Sequence, residues 1–496
     1  MLKIRVVKTA SNSRSVQIIY YANRKTKVFK QIGSGNSDDQ VAELRLIAGD
    51  LINQVSPLLP LEREPKFHNL LSVEKCDFIG TYYSFFYEVI ADLMTQIGLV
   101  KIRKDFLFDL VVIRILEPAS KLRSITLLEQ YFGIQHRRQT FYESAPKWLN
   151  LKDKVEGIVM SFAKQNYAFN FDVLFYDVTT LYFETFKEDE LRRNGFSKDN
   201  KSQQPQILVA LMVTKEGFPI SYEIFPGNTF EGHTIIPVVK KIINKYEVKE
   251  FTIVADAAMI SAENVKQLVA NRINYIVGAR LGNISDELLE KITKANLKQD
   301  GKSIRIKTEN GYLICSYSSV RYRKDKYEME KQIERAKQIV ENPAKNKKLK
   351  FTKAVGEKIE LNKRLIDKHT KLLGIKGYYT NLEEKVADNS TIINRYHELY
   401  RIEQAFRISK NDLETRPVFH FKEEPIKLHL LICFMALVLS KHIELKSNQS
   451  IRFFIDELKK VTDARIYNHL SRKEIRMRAK ISKPVSEILS KLNLSY

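Results

Sequence analysis

Cysteine is scarce. There are three in 496 residues (Cys76, Cys315 and Cys433), far apart and with no CxxC pair or histidine cluster near them. That spacing argues against a disulfide framework and against a structural zinc site, and it suits a reducing cytoplasm. Tryptophan is rarer still, a single residue, which is thin for an enzyme that stacks sugar rings and cleaves them with paired carboxylates. The opening MLKIRVVKTASNSRS lacks the apolar run of a secretory leader. The most apolar stretch, Leu430 to Leu439, is too short to span a bilayer and reads as a buried core helix, so a soluble protein is expected. Acidic residues are in deficit: 59 Asp and Glu stand against 82 Lys and Arg, a formal net charge of +23. An excess of this size is a statement about partners, and nucleic acid is the commonest one, with a generally basic, adhesive surface as the plainer alternative.

What is present is enough chain for several domains, with 44% hydrophobic and 28% charged residues. Residues 1–37 alternate in the manner of strands and read as a basic β-meander. Residues 38–165 turn helical, broken once by PLLPLEREP. Lys121, Arg123, Arg137 and Arg138 fall between the helices there, where they suit either DNA-end binding or ordinary helical packing. Residues 166–284 follow a strand, strand, strand, helix, strand, helix, strand plan, which predicts a mixed α/β core around a central sheet. Residues 285–375 interrupt that rhythm with a hairpin turning at Asn310-Gly311 and a long charged stretch, and read as an inserted subdomain. Residues 376–445 resume the core, beginning with the strand GYYTN, and 446–496 read as a basic helical tail.

Chemistry concentrates at three acids. Asp177 ends the predicted strand VLFYD and Asp256 ends TIVAD, each after four apolar residues. In open α/β sheets functional groups gather at the carboxyl ends of strands, so the two can share a site. Either one alone is better explained as a turn or capping residue. Glu403 lies in YHELYRIEQAFRISK, whose periodicity predicts one helix. Tyr396, Glu403 and Lys410 recur every seven residues and so project from nearly one face, with Arg407 a turn beyond Glu403. Glu403 with Arg407 alone would be an ordinary surface ion pair. Three carboxylates suit hard divalent cations, and the neighbouring cations suit phosphate.

The segments FYDVTTLYFE, FPGNTFEGHT, TIVADAAMIS and YHELYRIEQAFRISK, the last followed by RPVFH, together resemble the DDE transposases of bacterial insertion sequences. More narrowly, they resemble the group with a Tyr-x2-Arg-x3-Glu-x6-Lys signature around the third acid. The resemblance spans roughly residues 165 to 440. It implies an RNase H-like catalytic core interrupted between the second Asp and the Glu, in keeping with the long gap from Asp256 to Glu403. It implies Asp177, Asp256 and Glu403 as the catalytic, metal-holding triad for two Mg2+ (or Mn2+) ions, with Asp177 bridging both. Tyr396 and Lys410 fall on the signature Tyr and Lys, and both are expected to contact DNA, Lys410 at phosphate oxygens near the cut and Tyr396 at the terminal nucleotide strand. The signature Arg position is Leu399 here; Arg407 keeps the right face and is expected to take over part of the phosphate contact.

What the resemblance implies about activity is cut-and-paste transposition. The protein would bind double-stranded DNA at terminal inverted repeats as a homodimer, cleave the strands and transfer them, passing through a DNA hairpin, with no membrane partner. His233, in the FPGNTFEGH loop, would either touch DNA or serve the turn. A non-catalytic DNA-binding remnant of a transposase accounts equally for the charge and fold, yet predicts the loss of an acid, and all three are present. Another RNase H-like metallonuclease would share the acids but not the Tyr-Glu-Lys pattern.

Overall fold

The computed structural model describes residues 2–10, 13–22, 25–55, 75–102, 105–196, 203–248, 251–259, 261–341, 350–355, 358–469 and 472–496. The proline-rich PLLPLEREP and the NPAKNKKL end of the long charged stretch lie outside them. The chain opens with β1 (Leu2–Lys8), β2 (Arg14–Ala22) and β3 (Lys25–Gly35), an antiparallel meander. Helix α1 (Asp38–Val55) closes over it, and Val41, Leu44 and Ala48 bury themselves against Val16 and Ile18. β4 (Cys76–Tyr82) precedes the helices α2 (Ser84–Ile97), α3 (Asp105–Leu116), α4 (Lys121–Phe132), α5 (Arg138–Leu149) and α6 (Lys152–Asn166). α3 reads DFLFDLVVIRIL, mostly apolar, and is buried almost throughout, Asp109 and Arg114 included, as a helix surrounded by protein must be.

The central sheet comes next. Its elements are β5 (Val173–Tyr182), β6 (Gln206–Val213), β7 (Pro219–Pro226), α7 (Ile235–Tyr246), β8 (Thr252–Ala255), α8 (Ala262–Ala270) and β9 (Asn274–Ala279). They are followed by α9 (Asp286–Lys294), β10 (Ser303–Thr308), β11 (Gly311–Tyr317), α10 (Ser319–Glu341), the small hairpin β12 (Thr352–Val355) and β13 (Lys358–Leu361), α11 (Lys363–Lys371) and β14 (Ile375–Thr380). Eight strands join in the order β10-β11-β14-β9-β8-β5-β6-β7. β8 is parallel to both β5 and β9, and the other pairings are antiparallel. β6 (QILVALMV) is buried at every position, which explains why it shows no apolar–polar alternation.

The last part holds α12 (Asn389–His397), α13 (Tyr400–Arg407), α14 (Glu423–Ser447), α15 (Ile451–Leu458), β15 (Asp463–Asn468), β16 (Lys473–Arg478) and α16 (Lys483–Lys491). α14 is long and apolar enough to cross a bilayer, longer than the run Leu430 to Leu439 suggests, but 94% of its most apolar window is buried within the protein. It packs against α3, α5 and β7. A buried ionic knot ties α6 to the sheet. The Glu156 carboxylate accepts from Lys152 Nζ (2.9 Å), Lys245 Nζ (3.1 Å) and Ser221 Oγ (2.8 Å). Burial alone would raise its pKa, yet the two ammonium groups outweigh that and hold it below the usual glutamate range.

Four expectations need correction. Asp177 does not end its strand; β5 continues five residues further, to Tyr182, because VTTLY is as β-prone as the residues before it. YHELYRIEQAFRISK is not one helix. α12 stops at His397, α13 starts at Tyr400, and Ile408–Asp412 form a π-helical turn. Across the junction Leu399 N–H bonds Tyr396 O, Arg401 N–H bonds Glu398 O and Ile402 N–H bonds Leu399 O. Buried Tyr396, Leu399 and Ile402 recur every three residues, the period of a 3-10 turn. The hairpin β10–β11, expected inside a separate insertion, extends the central sheet through β14. The tail is not wholly helical: β15 and β16 pair with β4 in a sheet of order β16-β15-β4, held by Arg478 on Asp463 (2.8 Å) and Glu88 (2.7 Å).

Three histidines are kept neutral by packing around α14. Burial, chiefly, pushes His420 and His429 down to about 3 and His442 to about 4. Their pKa lies near 6.5 in the unfolded chain, so below that pH unfolding takes up protons and the fold loses stability. Each contributes about 1.4 kcal/mol per pH unit. Denaturant unfolding at pH 5.5 should therefore show ~4 kcal/mol less stability than at pH 7.5; equal midpoints at both pH values would contradict this packing.

Candidate active site

β5 and β8 run parallel with Tyr176 opposite Ala255. The next residue on each is an aspartate, so Asp177 and Asp256 stand at the same level on adjacent strands, about 5 Å apart in backbone. Asp177 is half-buried, and its Oδ1 accepts from its neighbour Val178 N–H at 2.7 Å. Asp256 is exposed where β8 gives way to a single turn, and its Oδ1 accepts from Ala257 N–H at 2.7 Å. Both carboxylates are thereby oriented by the chain's own backbone.

A buried tyrosine reaches this pair from the far side of the insertion. Tyr396, near the end of α12, donates its hydroxyl to Asp256 Oδ1 at 3.0 Å. Burial first, then the charge of Asp256, with a smaller push from Glu403, holds the phenol above its usual range, so it stays a donor. Its approach depends on Gly278 in β9, where a Cβ would sit 2.5 Å from the Tyr396 hydroxyl. The ring meets Tyr378 edge-on at 5.0 Å.

Lys376, in β14, completes the group. Its Nζ lies 4.5 Å from the Tyr396 ring centroid. Burial and then the charge of Arg321 hold its ammonium below the usual lysine range, while Asp256 and Glu403 both pull it back up. One ammonium thus feels the second and third acids together. Nothing in the sequence singled out Lys376, because only the neighbouring of β14 and β9 brings it to Asp256.

Glu403 is exposed on α13, Arg407 is exposed at its end, and Lys410 is half-buried in the π turn. Among the described residues, no three His, Cys, Asp or Glu side chains converge closely enough to hold a metal ion. The donor types still fit a hard divalent cation: two carboxylates are side by side, and the third acts on the same lysine as Asp256. Leu399 is buried at the helix break, and Arg401 turns aside to Glu398 at 3.4 Å. His233 is exposed, its ring edge-on to Phe230 at 5.4 Å. Asn264 ties that loop to the turn after Asp256, donating Nδ2–H to Gly232 O (2.5 Å) and Met259 O (2.9 Å).

Residues 169–439, more than half of the chain and including all three acids, match the family model described as a transposase DDE domain. The chain belongs to the DDE transposases. No relative among curated proteins matches it. A solved structure with similarity to this transposase is a piggyBac transposase synaptic complex with hairpin DNA. The two are 14% identical with a TM-score of 0.36, and the match covers 76% of this chain and 69% of that one.

In this transposase the fit at Gly278 joins the sheet closely to the helix that follows the insertion. Gly278→Ala should displace Tyr396 from Asp256 and lower unfolding stability by about 2 kcal/mol, read by denaturant titration. An unchanged midpoint would mean that Tyr396 is not seated against β9.

Proposed function

We propose that this DDE transposase cleaves and transfers DNA strands at the terminal inverted repeats of its own element, with Asp177, Asp256 and Glu403 as the catalytic acids. The observation that carries the reading is the parallel register that sets Asp177 beside Asp256, with Tyr396 donating to the second acid and Lys376 over the Tyr396 ring. The strand order around β5, with the antiparallel run β5-β6-β7 on one side and the parallel run β5-β8-β9 on the other, supports an RNase H-like core.

The three carboxylates would hold divalent ions, Mg2+ or Mn2+, two in number. When bound, such ions activate a water or a 3′-hydroxyl and stabilise the charge that builds on a phosphodiester. The chain's own residues do the rest. Tyr396 fixes the rotamer of Asp256 by donating to one oxygen and leaves the other to face the site. Lys376 offsets the mutual repulsion of Asp256 and Glu403 while they are close. Arg407 and Lys410 receive phosphate oxygens of the strand being cut. The net charge of +23 holds two DNA ends in a homodimer, and binding weakens steeply with salt. Residues 1–165 contribute the recognition of those ends.

A non-catalytic DNA-binding remnant is the second reading. Leu399 at the signature arginine position and the absence of a converged three-acid group among the described residues favour it. One assay separates the two: a duplex carrying the repeats that flank the encoding locus, incubated with Mg2+ and either wild type or Asp177→Ala. Nicking at the repeat ends by wild type, reduced ~1,000-fold in the variant, is the expected result. Tight, salt-sensitive binding with no cutting by either protein would establish the remnant instead.

A further inference from the structure

A second site lies beyond the acids. The segment after the π turn, residues 413–422, runs back along the end of β5, where Val418 bridges to Phe183 and Arg416 lies 5.9 Å from the Tyr182 ring. Between this segment and the starts of α4 and α5 opens a cleft of about 550 Å³. It begins roughly 20 Å from Asp177, the length of the strand between them.

Its lining is basic and aromatic at once. Arg114, Lys121, Arg138, Arg416 and Lys422 line it against one acid, Glu414. Phe419, Phe421 and Tyr142 also line it and are 59%, 64% and 46% exposed, although each is large enough to be a core residue. Two of these rings are backed by cations. Lys121 Nζ sits 3.5 Å from the Tyr142 centroid. The Arg192 guanidinium lies 5.8 Å from Phe421, and Arg192 is itself buried, held to Asp189 at 2.7 Å, with its Nη1 unbonded. Cation backing holds an exposed ring in place and leaves its remaining surface to a ligand. His420 stacks parallel to Phe141 at 6.2 Å. Burial holds it neutral, at about 3, so it offers a flat face and no added charge.

Exposed rings among cations suit a ligand with flat faces and a strongly anionic backbone. Duplex DNA supplies the charge, but its base faces are already stacked on one another. We propose that this cleft binds an unpaired segment of the DNA strand, with bases stacked on Phe419 and Phe421 and phosphates on the surrounding cations. The proposal rests on the reading that DNA is the substrate. It adds a station for single-stranded DNA about one strand length from the acids.

The test uses the full chain and a fluorescein-labelled single strand of about 20 nucleotides, beside the same sequence as a duplex, read by fluorescence anisotropy. Phe419→Ala with Phe421→Ala should weaken single-strand binding about tenfold or more and change duplex binding less than about twofold. Phe419→Trp with Phe421→Trp, which keeps the flat faces, should retain it. Photocrosslinking of a 5-iodouracil single strand should label peptides from 414–425 or 138–142. Unchanged single-strand affinity in the alanine variant, equal losses on single strand and duplex, or crosslinks only elsewhere would each overturn the proposal. The catalytic reading fails separately. If wild type does not cut the repeat duplex but the alanine variant still loses single-strand binding, the cleft stands and the transposition chemistry falls. If wild type cuts and single-strand binding is indifferent to the rings, the reverse holds.

Discussion

Parallel pairing of β5 with β8 is the constraint on which the site rests. Strand pairing has a side-chain period of two, so a slip of one residue would turn Asp177 to the opposite face and leave Asp256 alone. The register is secured on both flanks. β6 pairs along its whole length with Phe175 to Tyr182 of β5, and β9 pairs with β8 from Thr252 to Ala255. These central strands are almost wholly apolar, and burying them on two faces makes any other register expensive. The half-buried Asp177 is the polar exception in VLFYDV, and a carboxylate in that place is costly unless something uses it.

The same sheet links the parts of the chain that would handle DNA. Lys152 and Lys245 bind Glu156 from α6 and α7, and Ser221 binds it from β7, so the N-terminal helices cannot shift relative to the strands without exposing a buried ionic group. α14 packs on α3 and α5 as well as on β7. The cleft that ends in Phe419 and Phe421 is therefore bounded by helices rigidly attached to the sheet that carries the acids. A strand lying in it would be held at a defined distance from Asp177.

Much of this was legible in the sequence, and the failures have physical causes. The strands VLFY and TIVA that carry the first two acids and the Asn310-Gly311 turn were readable because each is a local rule: an apolar run, a turn dipeptide. The break between α12 and α13 was not, since no proline or glycine marks it; it is the three-residue spacing of Tyr396, Leu399 and Ile402 in the core that tightens the turn. Lys376 was invisible because its relation to Asp256 depends on a strand order that no local pattern encodes. The β15–β16 hairpin was hidden the same way: its partner β4 is nearly the whole chain away, and its alternation is masked by charge in KEIRMR.

The account stands or falls on whether Asp177, Asp256 and Glu403 share one ion site. Iron-mediated backbone cleavage measures that directly: Fe2+ replaces the divalent ion, peroxide is added, and the cut sites are mapped by mass spectrometry. The account predicts cuts clustered near residues 177, 256 and 403, suppressed together by excess Mg2+ and lost together in Asp256→Asn. Cuts at the two aspartates without any near Glu403, or at none of the three, would contradict it.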